Sequence, residues 1–452
     1  MVMATILKNA LIINEYTRYY GHILVSSEHI HKILPITDDL SAYHSETQVL
    51  DCSGCIVIPG LIDDQVHFRE PGLTHKGDIL SESHAAVAGG VTSFMDMPNT
   101  NPQALTQEVL EQKYALAAEK SLANYSFYMG ASNTNIEDVL QTDFSKICGV
   151  KIFMGSSTGN MLLDDDTVLE QLFSQVKGLI AVHCENETRI RERTVMARER
   201  YGNNPPLSVH SWIRDEETCY SSSLKAVTLA RKHNTKLHVL HLSTAKELTL
   251  FSDQSLANKS ITAEVSIPHL WFTDADYERY GTLIKCNPAV KTLHDREALR
   301  QAVIDGRIDV LATDHAPHTW AEKQQDYFKA PSGIPMIQHW LVGLLELERQ
   351  GIFTLEQIVA KTAHNPAQLF KIQDRGFIRE GYYADLTVVD THAPQTVEKQ
   401  SLLSKCGWSP LEQQTFHNSV KYTFVNGHLT FNQGILDTSK TGQRLLFNPN
   451  TP

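Results

Sequence analysis

Eight short apolar runs recur between positions 55 and 312, and they constrain the fold of this chain more than any other feature. They occupy 55–62, 91–95, 125–129, 150–154, 179–182, 237–240, 261–265 and 308–312. Segments of helical periodicity lie between them, among them "DILSESHAAVAGG" and "DDDTVLEQLFSQVKG". Strand-type runs alternating with helical ones predict parallel β/α architecture, and eight is the number that closes a TIM (β/α)8 barrel. The competing arrangement, an open doubly wound sheet, is disfavoured because no Gly-rich nucleotide fingerprint follows the early runs.

The ends of the chain have another rhythm. "TILKNALIIN", "GHILVSSEHIHKIL" and "TQVLDCSGCIVI" near the start, and "ADLTVVD" and "VKYTFVNGHLTF" near the finish, are β-type runs without helical spacing. They predict a small β-sandwich domain formed by both terminal segments, 1–57 and 373–452, with the barrel over 58–372 inserted between them. At 452 residues, 42% hydrophobic and 20% charged, the chain has ample material for such a core. Its formal charge of −12 argues against nucleic acid or an anionic membrane as partner. Seven scattered cysteines suit a reducing compartment, and the Cys52-x-x-Cys55 pair has no second pair to complete a zinc site. The opening "MVMATILKNALIIN" has neither a basic leader nor a continuous apolar stretch, so a cytoplasmic protein is expected.

Ionisable residues gather just past the runs. Gln65, His67 and Arg69 follow the first, "DMPNTNP" the second, Lys151 stands in the fourth, His183 ends the fifth and His241 follows the sixth. The eighth leads into Asp314 and His318. In a TIM barrel the strand C-termini face one another across one mouth, so these groups converge. Any one of them alone has an ordinary explanation: a packed strand-end lysine, a hydrogen-bonded structural histidine, a capping aspartate. Together, neutral imidazoles and carboxylates at the same strand ends suit zinc or a similar divalent ion. Strict strand alternation places Asp63, Gln65, His67 and Arg69 on one face and Asp64, Val66 and Phe68 on the other. Arg69 beside such a centre points to a carboxylate-bearing ligand, since a guanidinium pairs with carboxylate bidentately.

The motifs "PGLIDDQVHFREPG", "GGVTSFMDMPNTNP", "GVKIFMGSSTGN", "VHCEN", "HVLHLST", "KCNPAVK" and "ATDHAPH" occur in that order. By these the chain resembles the dihydroorotases of the amidohydrolase superfamily, over about residues 51–390. The resemblance implies reversible hydrolysis of dihydroorotate to N-carbamoyl-aspartate in pyrimidine synthesis. It implies a carbamate on Lys151, formed with carbon dioxide, that bridges two zinc ions. One ion would take His67 and Asp314, the other His183 and His241. Gln65 stands where the family carries a further histidine, so one tight and one weaker zinc site are expected. Asp314 would serve as base and then acid. Arg69, Asn99, Asn287 and His318 would hold substrate, and Ser332 and Gly333 would lend backbone groups to its ring. Hydantoinases and allantoinases share the metal ligands but tend to lack an arginine where Arg69 stands, and they are the alternative enzymes. A metal-free scaffold subunit is the non-enzymatic alternative. A homo-oligomer and association with aspartate transcarbamoylase are the macromolecular partners that the resemblance allows.

Overall fold

The computed structural model describes residues 4–43, 47–155 and 161–448; the "SSTGN" part of one motif lies outside them. Eight barrel strands run Leu61–Val66, Val91–Asp96, Asn124–Phe127 (continued by Met129–Gly130), Val150–Phe153, Ile180–His183, Leu237–Val239, Ile261–Ser266 and Val310–Ala312. Strands one to three form one parallel sheet, and the rest, from Met129 onward, form another. Strand three carries the chain from one sheet into the other through Tyr128, and on the far side His67 N–H donates across the seam to His315 O at 2.7 Å. Nearly every strand residue is buried, as expected of parallel strands covered on both faces.

Helices return the chain between strands, with capping residues where the sequence supplies them. Asp78 caps Ile79–Ala88 by accepting from Ser81 N–H, Asp165 caps Asp166–Gln175, and Asp215 caps Glu216–His233. One core joins the inner helix faces to the strands, including Phe94, Phe127, Ile152, Val182, Leu237 and Trp340.

The first apolar run divides in two. Cys55–Pro59 belongs to the terminal sheet and pairs antiparallel with Leu386–Asp390, whereas Leu61–Val66 opens the barrel. Gly60 sits at the division, where a Cβ would collide with the Thr92 side chain. The terminal sheet has nine strands drawn from both ends of the chain, and its separate core includes Leu7, Ile12, Ile23, Val57, Leu386 and Phe424. All seven cysteines are free. Burial pushes the Cys52 thiol up to about 12. Among the described residues, no helix is long and apolar enough to cross a membrane.

Strand one departs from strict alternation. Its register with strand two slips between Asp63 and Val66, and Asp64 as well as Gln65 and His67 reaches partners inside the barrel. Asp63 is turned sideways, accepting Thr313 N–H at 3.2 Å and Gln65 N–H at 3.3 Å. The single row expected from period two is therefore corrected: a bulge re-aims the side chains around it.

Candidate active site

The residues expected at the mouth assemble there in two pairs. In the first, His67 Nε2 lies 3.3 Å from Asp314 Oδ1, and Gln65 Nε2 donates to the same oxygen at 3.2 Å. Asn99 Oδ1 sits 2.9 Å from His67 Nδ1; Nδ1–H donation to it leaves Nε2 as the free lone pair. The carbonyl oxygen of Gln65 is buried with no hydrogen-bond partner. An orphaned amide oxygen beside an imidazole and a carboxylate is a donor set that fits a divalent cation, although the amide is its weakest member. Asn99, expected on a substrate carboxylate, thus stands beside the first pair, in contact with His67.

In the second pair, His183 Nδ1 lies 2.9 Å from His241 Nε2, with the rings edge to face. His183 Nε2 lies 2.9 Å from Glu185 Oε2, and Glu185 is ion-paired with Arg214. Donation from Nε2–H to this carboxylate frees Nδ1, in the way that a carboxylate orients a metal-binding histidine. Burial depresses both imidazoles, His241 well below its usual value with His183 adding to the effect. Both are thus neutral at physiological pH, the form that ligates metals.

Lys151 is buried on strand four, and burial lowers its pKa to about 7 against the opposing carboxylates of Glu264 and Asp314. Its charge is felt by both His183 and His241. Neutral amine is therefore abundant at physiological pH, which ordinary lysine does not allow.

Beside the first pair lies an electropositive nest. Arg69 is buried; its Nε donates to Pro317 O at 3.0 Å and its Nη2 lies 3.1 Å from His318 Nε2. Lys76 Nζ lies 3.1 Å from His318 Nδ1. Burial lowers the arginine to about 10, still charged at neutrality, and with Arg69 keeps His318 neutral. Arg69, His241 and Asp314 all adopt positive φ, at 71°, 38° and 48°. Non-glycine residues held there cost ~1–3 kcal/mol each and persist where the surroundings over-determine them.

Of the remaining predicted residues, Ser332 and Gly333 adjoin His318 and Ala316. Asn287 Oδ1 is buried without a partner. Ser332 O lies 3.0 Å from His318 Nε2. Gly333 adopts φ +150°, and a Cβ on it would strike Ala316 O. Two lysines staple this loop: Lys285 Nζ donates to Tyr327 O and Ala330 O, both at 2.6 Å, and Lys323 Nζ donates to Pro331 O and Gly333 O at 3.0 and 2.9 Å. Sequence reasoning missed both lysines and the Glu185–Arg214 support, because partners so distant in the chain carry no spacing signal. It also missed a deeper group, Asp64, His238 and Glu264, whose ligand atoms lie within 4.8 Å of one another and could hold a metal ion.

Residues 56–430 match the model of the amidohydrolase family. The chain belongs to the amidohydrolase family. Among its curated relatives, a dihydroorotase of Methanosphaera stadtmanae is 31% identical over 84% of this chain and 86% of that protein. One of Methanosarcina acetivorans is 32% identical over 87% and 86%. Among solved structures, the L-hydantoinase (dihydropyrimidinase) of Arthrobacter aurescens superposes with TM-score 0.92 at 24% identity, covering 99% of this chain and all of that one. At that identity the likeness establishes the amidohydrolase fold: the parallel β/α barrel with its terminal β domain.

Proposed function

We propose that this amidohydrolase is a dihydroorotase, interconverting dihydroorotate and N-carbamoyl-aspartate in pyrimidine synthesis. The observation that carries the reading is the nest of buried Arg69 and His318, with part-buried Lys76 at its edge, beside the His67–Asp314 pair. It offers a carboxylate a charge-assisted, water-poor seat, which dihydroorotate fills and an uncharged hydantoin does not. The names of the curated relatives agree with it.

His67, Asp314 and the Gln65 amide oxygen would hold one divalent ion, His183 and His241 another, with Lys151 as a carbamate common to both; zinc suits these donors. When bound, such ions supply Lewis-acid activation of water and of the ring carbonyl. Arg69 and His318 seat the substrate carboxylate, and Asn287 with the Ser332–Gly333 backbone orients the ring. Asp314 takes the proton of the attacking water and returns it to the departing ring nitrogen, so one carboxylate is base and then acid. Asn99 holds His67 in a single tautomer, and Glu185 does the same for His183.

The same reading places the enzyme in the cytoplasm as a homo-oligomer able to associate with aspartate transcarbamoylase. It divides the chain into 1–57, 58–372 and 373–452. Zinc-supplied protein assayed on dihydroorotate, hydantoin and allantoin tests the activity. Turnover of dihydroorotate above the other two is expected. Preference for hydantoin or allantoin would make it a ring hydrolase of another specificity, and turnover of none would leave the scaffold reading.

A further inference from the structure

One layer deeper than the mouth, Asp64 of strand one, His238 of strand six and Glu264 of strand seven meet in the barrel interior, all fully buried. His238 Nδ1 lies 2.7 Å from Thr262 Oγ1, and that hydroxyl donates its own proton to Leu237 O at 3.2 Å. The hydroxyl oxygen therefore accepts, Nδ1 carries the hydrogen, and Nε2 presents a lone pair. That lone pair faces Asp64 Oδ2 at 3.1 Å and Glu264 Oε2 at 3.9 Å. Asp64 Oδ1 and Glu264 Oε2 have no hydrogen-bond partner. The other oxygen of Glu264 accepts His241 N–H at 2.9 Å.

Three side chains thus converge with two oxygens unmatched, in a region where such atoms are expensive to leave bare. A proton on His238 Nε2 would satisfy Asp64 Oδ2, and a second proton on Glu264, whose carboxyl is pushed well above its usual value by burial and by Asp64, would be needed to match its Oε2. A divalent ion satisfies the imidazole and both carboxylates at once. One nitrogen and two carboxylate oxygens are a donor set that zinc and its first-row neighbours accept.

We propose that Asp64, His238 and Glu264 form a metal site of their own, binding a divalent first-row cation apart from the His67–Asp314 and His183–His241 pairs. The ion ties strands one, six and seven together. Through Glu264 it fixes the backbone of His241, and so the imidazole at the mouth. This does not depend on which ring the enzyme opens.

The test uses crystals of the full chain equilibrated with zinc, with anomalous data collected above and below the zinc edge. A peak at about 2.0–2.2 Å from His238 Nε2 and from oxygens of Asp64 and Glu264 is expected. No peak between these three side chains would overturn the site, whatever the mouth contains, and would mean that protons hold the group together. As a second measurement in solution, Asp64→Asn should bind one zinc fewer per chain than wild type by mass spectrometry of metal content, with the mouth pairs still loaded. An Asp64→Asn protein that folds and keeps the wild-type stoichiometry would also overturn it.

Discussion

Arg69 and Gln65 are the residues on which this site turns. Arg69 has given up most of its hydration to sit against Pro317 and His318, and removing it takes away the charge that a substrate carboxylate would meet. Arg69→Met should lower kcat/KM for dihydroorotate by about 100-fold or more, with far-UV dichroism and metal content unchanged. A variant with wild-type kcat/KM would make Arg69 structural. Gln65 offers a neutral oxygen where imidazole is the stronger donor, and losing even a supporting partner costs ~10–100-fold in metal affinity. Dialysis against a mild chelator should therefore strip the ion beside His67 and Asp314 before the one at His183 and His241, and Gln65→His should slow that loss. First loss from the His183–His241 side would reverse the ordering. These residues were legible because each ends a strand-type run and belongs to a motif. The inward turn of Asp64 was not, since period two assigns it to the opposite face and only the slip in register overrules that.

Among the elements, the helix Glu216–His233 shows how local rules reach the site. Its cap, Asp215, accepts Thr218 N–H at 3.0 Å and pairs with Arg189 of the earlier helix Glu187–Tyr201 through two bonds of 2.9 and 2.5 Å. Arg214, the next residue back along the chain, pairs with Glu185 behind His183. Burial raises the Asp215 pKa, but Arg189 and the Thr218 bonds outweigh it and hold it at about 2. A carboxylate lowered on folding contributes stability that is complete above its unfolded value near ~4 and lost as pH falls through the folded value. The urea midpoint of the wild type should drop between about pH 4 and 2. Asp215→Asn keeps a capping side chain and should flatten that drop; Asp215→Ala should cost about 1–2 kcal/mol at neutral pH. Identical pH slopes in wild type and Asp215→Asn would assign the acid sensitivity elsewhere. The alternation of strand-type and helical segments leaves room for helix here, between the fifth and sixth runs, without bounding it. The pairing of its cap with Arg189 required the two helices to be packed.

Across the whole molecule, the barrel and the terminal sheet are joined by a buried polar knot as well as by apolar packing. Asp385, just before Leu386–Asp390, is ion-paired with Arg375 and accepts Asn426 N–H at 2.8 Å. Asn124 of barrel strand three donates to Asp385 Oδ2 at 3.2 Å and accepts from Asn426 Nδ2 at 2.8 Å. That both chain ends would build one β unit could be read from their shared rhythm. That this unit would be tied to strand three could not, because Asn124, Asp385 and Asn426 are unremarkable in sequence and acquire their roles only when the layers meet. Removing the carboxylate leaves a buried guanidinium without its partner, which typically costs about 3–5 kcal/mol, and frees two amides in addition. Asp385→Ala should therefore lower the thermal midpoint markedly. Because the knot spans both layers, the loss should appear as one earlier transition, with far-UV dichroism and release of bound metal moving together. If the terminal sheet melted first while the metal stayed bound to an intact barrel, the two layers would be separate cooperative units, and the knot would be a local contact instead of the joint through which the barrel's stability depends on the ends of the chain.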